Sequence, residues 1–121
     1  MKILFADDSL TMQKIVSKML ADIGYLDVLL ADGGDVVISL LAEHSDVGLV
    51  LLDWNMPVMN GIDCLKEIKA NPATKEIPVV MLTSEVSMAS VMEAVRCGAC
   101  NYLIKPFESE KLGRVIKEIL R

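Results

Sequence analysis

Leu49-Val50-Leu51-Leu52-Asp53 sets four consecutive large aliphatic residues against a single closing carboxylate. A strand with one face in water alternates apolar and polar residues, whereas a strand buried on both faces is apolar throughout. Four other short runs have the same character: Ile3 to Ala6, Val28 to Leu30, Val79 to Leu82 and Tyr102 to Ile104. Between and after them the apolar period changes to that of a helix face. Met12, Ile15, Val16, Met19, Leu20 and Ile23 form one stripe; Val36, Val37, Leu40 and Leu41 a second; Ile62, Leu65 and Ile68 a third. Met88, Val91, Met92 and Val95 form the fourth, and Leu112, Val115, Ile116, Ile119 and Leu120 the fifth. Gly24 and Gly98 stand where left-handed helix ends are expected, and Asn60 and Ser87 where helices begin. Five βα units with right-handed crossovers predict an α/β fold, a doubly wound five-stranded parallel sheet of flavodoxin-like (βα)5 type with strand order 2-1-3-4-5.

The chain of 121 residues suits one domain over its whole length. Its 12 basic and 17 acidic residues leave a formal charge of −5, which disfavours non-specific binding to nucleic acid or to an anionic membrane. The apolar runs are too short to span a bilayer, and Met1-Lys2 leads straight into a strand without an export signal. A cytoplasmic monomer with its three cysteines reduced is therefore expected. With Arg121 directly after the last helical stripe, a stand-alone regulator and a piece of a longer chain both fit.

In a doubly wound sheet ligands bind beyond the carboxyl ends of the strands, near the reversal of strand order. The residues at those ends are Asp7 and Asp8, Asp53, Thr83 and Lys105. Core packing has no use for three carboxylates, a hydroxyl and an ammonium at one edge. Two unit charges about 5 Å apart repel by roughly 3 kcal/mol at an effective dielectric near 20, so the carboxylates must protonate, pair or bind a cation. Oxygen donors with no competing His or Cys cluster describe a site for Mg2+ rather than zinc or copper. A pair of acids opening a helix, favoured there by the helix dipole, is the plainer account of Asp7-Asp8 taken alone.

The stretch Asp53-Trp54-Asn55-Met56-Pro57-Val58-Met59-Asn60-Gly61, with Asp7-Asp8, Thr83 and Lys105-Pro106-Phe107, resembles the response-regulator receiver family over essentially the whole chain. Trp54-Asn55-Met56-Pro57 and the segment Tyr102 to Phe107 carry the likeness toward single-domain chemotaxis regulators of the CheY type. The resemblance implies a two-component response regulator that accepts a phosphoryl group on Asp53 from a sensor histidine kinase. It implies Mg2+ held by Asp7, Asp8, Asp53 and the Asn55 carbonyl, with Lys105 on the phosphoryl group and a cis bond before Pro106. Thr83 and Tyr102 match the family's switch pair, and Asn55 and Glu85 match positions that tune dephosphorylation. Output through helix 4, strand 5 and helix 5 to a downstream protein follows, a flagellar motor switch being one option.

Such a protein is a switch and an enzyme only in assisting its own phosphorylation and dephosphorylation. An aspartate-based phosphohydrolase would place a second acid two residues after the nucleophile, where this chain has Asn55. A degenerate receiver acting only as a binding module would have lost some of the acidic, hydroxyl or lysine positions, all of which are present. Cys97-Gly98-Ala99-Cys100 has redox spacing, but it follows a helix instead of opening one, so its thiols and Cys64 are expected to pack as small apolar groups. His44, the only histidine, is expected at a solvated helix end, and Met88 and Met92 to border the output face.

Overall fold

The computed structural model of the protein describes residues 1–120. Its elements run β1 (Lys2–Ala6), α1 (Leu10–Asp22), β2 (Val28–Ala31), α2 (Gly34–Glu43), β3 (Val47–Leu52), α3 (Gly61–Ala70), β4 (Val79–Thr83), α4 (Met88–Arg96), β5 (Asn101–Ile104) and α5 (Ser109–Leu120). All neighbouring strands are parallel, and their order is β2-β1-β3-β4-β5. The expected doubly wound sheet is therefore the one observed.

The two-residue period of the strands divides the core. Ile3, Phe5, Leu49, Leu51, Val80, Leu82 and Leu103 face α1 and α5, where Val16, Leu20, Leu112 and Ile116 meet them. Leu4, Ala6, Val50, Leu52, Val79 and Met81 face the other layer, which contributes Val37 and Leu41 from α2, Ile62, Leu65 and Ile68 from α3, and Ala94 from α4. Each fully buried large aliphatic or phenyl side chain contributes about 1.5–3 kcal/mol. Burial on both faces is what made these strands read as uninterrupted apolar runs.

Helix ends follow their local chemistry. The Ser9, Asn60 and Ser87 side chains accept from the backbone N–H of Met12, Asp63 and Ser90, which satisfies donors the helices leave free. Gly24 and Gly98 hold φ of 99° and 110°, the left-handed conformation glycine adopts without a Cβ clash. Asp8 precedes the first helix rather than lying in it, so helix initiation belongs to Ser9.

Two stripes differ from their expected burial. Met88, Met92 and Val95 are 72%, 54% and 58% exposed, while α4 packs on the sheet through Ala94, with Cys97 partly buried against the same layer. The small Ala94 thus lies on the sheet side of α4, and the longer Met88 and Met92 lie on the solvent side. On α1, Ile15 is exposed and Gln13 is buried, because the Gln13 amide has a backbone partner beneath the helix.

One close approach ties the fold to the carboxyl edge. The Gly61 N–H donates to Trp54 O at 2.7 Å, and a Cβ on Gly61 would lie 2.0 Å from Asp53 O. No flexible side chain is available to move aside there. Gly61→Ala is expected to cost about 1–3 kcal/mol or more of stability, read as a lower urea midpoint with unchanged slope. An unaltered midpoint would contradict this packing.

Candidate functional site at the carboxyl edge of the sheet

β1 and β3 are adjacent and in register, with Ala6 opposite Leu52, so the next residues of both strands leave the sheet side by side. Asp7 N donates to Ala31 O and Asp53 N to Ala6 O, both at 3.0 Å, extending the ladder by one residue and fixing both carboxylates at the edge. Asp7, Asp8 and Asp53 each offer a carboxylate oxygen, and these oxygens lie within 4.8 Å of one another. Asp7 is 1% exposed and Asp53 7%, whereas Asp8 is open to solvent.

Lys105, just beyond β5, supplies the counter-charge. Its Nζ lies 2.6 Å from Asp7 Oδ2 and 3.3 Å from Asp53 Oδ2. The Lys105–Pro106 bond is cis. One ammonium against three carboxylates leaves the cluster net negative. Burial pushes the Asp53 carboxyl above its ordinary value; Lys105 pulls it down, and the Asp7 charge adds to the upward push.

Thr83 ends β4 fully buried, its hydroxyl accepting from Glu85 N at 3.2 Å. The Glu85 carboxylate accepts from Asn55 Nδ2 at 3.2 Å, joining the β4–α4 loop to the β3–α3 loop. The Tyr102 hydroxyl donates to Glu85 O at 2.9 Å. Burial raises the Tyr102 phenol pKa, with the charges of Glu85 and Asp53 adding to the effect. Asp7, Asp8, Asp53, Asn55, Thr83, Glu85, Tyr102 and Lys105 thus gather at the carboxyl edge of the sheet.

Three supports were not visible in the sequence. Gln13 is buried and donates from Nε2 to Asp7 O at 2.8 Å, while Ser9 N donates to Asp7 Oδ1 at 2.9 Å. A polar residue interrupting the α1 stripe was the available signal for Gln13. The third is Val58, at φ 68° and 90% exposed, where Met59 N donates to Pro57 O at 2.8 Å and closes a tight turn. A β-branched residue at positive φ costs on the order of 1–3 kcal/mol, and no sequence pattern announces it.

The thiols stand apart. Burial pushes Cys64 up to about 12 and raises Cys100, whose Sγ donates to Val79 O at 3.3 Å. Cys64 and the partly buried Cys97 pack against the α2–α3–α4 layer as expected, whereas Cys100 is exposed and departs from the expected packing role. His44 caps the C-terminal end of α2.

Comparison with known proteins agrees with the geometry. Residues 3–117 match the model of the response regulator receiver domain. The chain is 40% identical over 120 residues to chemotaxis protein CheY1 of Helicobacter pylori strain J99, covering 99% of this chain and 97% of that one. It is 39% identical to chemotaxis protein CheY-3 of Vibrio cholerae, covering 98% and 94%. Among solved structures, chemotaxis protein CheY4 of Vibrio cholerae superposes with a TM-score of 0.90 at 33% identity over 98% of each chain. The receiver domain of the sensor histidine kinase PA1611 of Pseudomonas aeruginosa, solved with a magnesium ion in its active-site cleft, gives 0.88 at 26% identity over 97% and 94%. No helix among the described residues is long and apolar enough to cross a membrane. The chain belongs to the response regulator receiver domain family, in its CheY-like branch, and its place is in two-component signalling.

Proposed function

We propose that residues 1–121 form one receiver domain in which Asp53 accepts a phosphoryl group from a phosphohistidine of a sensor kinase in a reaction that requires Mg2+. The observation that carries this reading is the convergence of Asp7, Asp8 and Asp53 within 4.8 Å, with Lys105 bonded to two of them. The donor set fits a hard divalent cation, being all oxygen, net negative and open to water at Asp8. Among the described residues no hydrogen bond ends on the Asn55 carbonyl, which leaves that oxygen free to join Asp7, Asp8 and Asp53 as a ligand. When bound, the ion supplies positive charge to the nucleophile and to the phosphoryl oxygens.

The chain's own groups do the rest. An Asp53 carboxylate oxygen attacks phosphorus, the P–N bond to the imidazole breaks, and the imidazole leaves with its electron pair and is protonated. Lys105, already 3.3 Å from Asp53, offsets charge on the equatorial oxygens. Thr83 then gives up Glu85 N and turns its hydroxyl to a phosphoryl oxygen, and Tyr102 follows the β4–α4 loop. The result is altered partner affinity on the face formed by α4, β5 and α5, where Met88, Met92 and Val95 stand in solvent. A charge-assisted bond of this kind is worth about 1.5–3 kcal/mol, so two or three of them can reverse a conformational preference. Hydrolysis returns the protein to its starting state, with Asn55 and Glu85 flanking the approach of water. The chain thus works as a switch, and its catalysis is confined to its own phosphoryl group. The likeness to CheY chemotaxis proteins over nearly the whole chain favours a cytoplasmic monomer working in chemotaxis, with a flagellar motor protein as one candidate target.

Three outcomes are expected. With Mg2+ and an acyl phosphate donor, the intact mass should rise by one phosphoryl group, and neither Asp53→Asn nor metal-free protein should show the adduct; an adduct surviving in Asp53→Asn would overturn the assignment. Asn55→Ala and Glu85→Ala should change the decay rate of that adduct several-fold more than they change Mg2+ affinity; equal lifetimes in all three proteins would count against their role. Thirdly, because burial holds the folded Asp53 carboxyl above its ordinary value, the metal-free fold loses stability as pH rises through that raised pKa. Asp53→Asn should therefore melt above wild type at pH 7, by a margin that shrinks as pH falls toward 4; a lower melting temperature at pH 7 would contradict the desolvation argument.

A further inference from the structure

Glu85 holds three bonds to three different parts of the site. Its N–H goes to Thr83 Oγ1, its carboxylate to Asn55 Nδ2 and its carbonyl to the Tyr102 hydroxyl. The loop that carries it, between β4 and α4, has little else to fix it: Ser84 and Ser87 are exposed and Val86 is 70% exposed. A segment with few buried contacts takes its position from its hydrogen bonds. Asn55 is anchored differently. The preceding residue's carbonyl accepts from Gly61 N, and the following Met56 is 8% exposed in the α2–α3 layer. The Asn55–Glu85 bond therefore ties a poorly held loop to a firmly held one.

We propose that Asn55 is a positioning residue for Tyr102: by holding the Glu85 side chain it fixes the carbonyl that receives the Tyr102 hydroxyl, and so biases the ring toward its docked position. The consequence rests on the switch reading above. Once Thr83 turns toward a phosphoryl oxygen, Glu85 N loses its acceptor, and apart from Tyr102 itself the Asn55 bond is the side-chain tether left on Glu85. The pair that flanks the approach of water then also sets how completely Tyr102 docks, and substitutions at Asn55 or Glu85 act on output as well as on phosphoryl lifetime.

The test uses unphosphorylated, metal-free protein labelled with 3-fluorotyrosine. Of its two tyrosines, Tyr102 is identified by the signal missing from Tyr102→Phe, and Tyr25 reports on the rest of the fold. The H2O-to-D2O shift of the fluorine resonance reads solvent exposure of the ring. Asn55→Ala and Glu85→Ala should each lower the docked-to-undocked ratio about three-fold, the order expected for loss of one hydrogen bond near the surface. The double variant should add nothing further, because both changes remove the same bond. Glu85→Gln, which keeps an acceptor oxygen for Asn55, should hold Tyr102 as in wild type. A purely structural role would move the Tyr25 signal and would not be rescued by glutamine. Tyr102 exposure unchanged in either alanine variant, additive effects in the double variant, or a Glu85→Gln protein resembling Glu85→Ala would each overturn the proposal. The experiment contains no phosphoryl donor, so its result is separate from whether Asp53 accepts phosphate, which the intact-mass measurement decides.

Discussion

Asp7 and Asp53 are brought to the same edge by the register of β1 and β3, and the fold has to hold two buried carboxylates there with a third beside them. Lys105 makes this possible. Its ammonium, 2.6 Å from Asp7 and 3.3 Å from Asp53, reaches the cluster from beyond β5, so its position depends on the whole width of the sheet between β1 and β5. At such distances the Coulomb terms exceed those of any single apolar contact, yet one ammonium leaves two negative charges uncompensated. Burial is the main reason the Asp53 carboxyl lies above its ordinary value, with the Asp7 charge adding to it, and the uncompensated charge is what a bound cation would offset in the proposed function.

The supporting parts form a second layer with one purpose, which is to prevent the cluster from relaxing. Gln13 and Ser9 hold Asp7 through its carbonyl and carboxylate. Gly61 lets α3 start against the Asp53 carbonyl, and the turn at Val58 closes the loop between them. On the far side the site is left loose, with the β4–α4 loop held mainly by the bonds of Glu85. A firmly held carboxylate cluster beside a loosely tied loop suits the proposed switch, in which a phosphoryl group on Asp53 would compete for Thr83 without disturbing the core.

Most of the fold was legible because burial on both faces removes polar residues from the strands, and that signature is local. The site was legible for a related reason: parallel strands place the residue after each apolar run at one edge, so Asp7, Asp53, Thr83 and Lys105 could be gathered without knowing any contact. What escaped depends on choices that periodicity does not record. On helix α4 only packing selects the side with Ala94 over the one with Met88 and Met92. The burial of Gln13 depends on its partner, a backbone carbonyl six residues earlier, which no apolar stripe records. The left-handed turn at Val58 runs against its own residue type, and the loop imposes it.

The central claim is that Asp53 is a working phosphoryl acceptor in a metal-dependent site, and Trp54 is placed to test it. The indole follows Asp53 in the chain and is partly buried. Its fluorescence should change on adding Mg2+ and then change again, saturably, on adding beryllofluoride, a mimic of the aspartyl phosphate. In Asp53→Asn the second change should vanish. A folded protein whose Trp54 is silent to both additions, or whose beryllofluoride response persists in Asp53→Asn, would contradict the account.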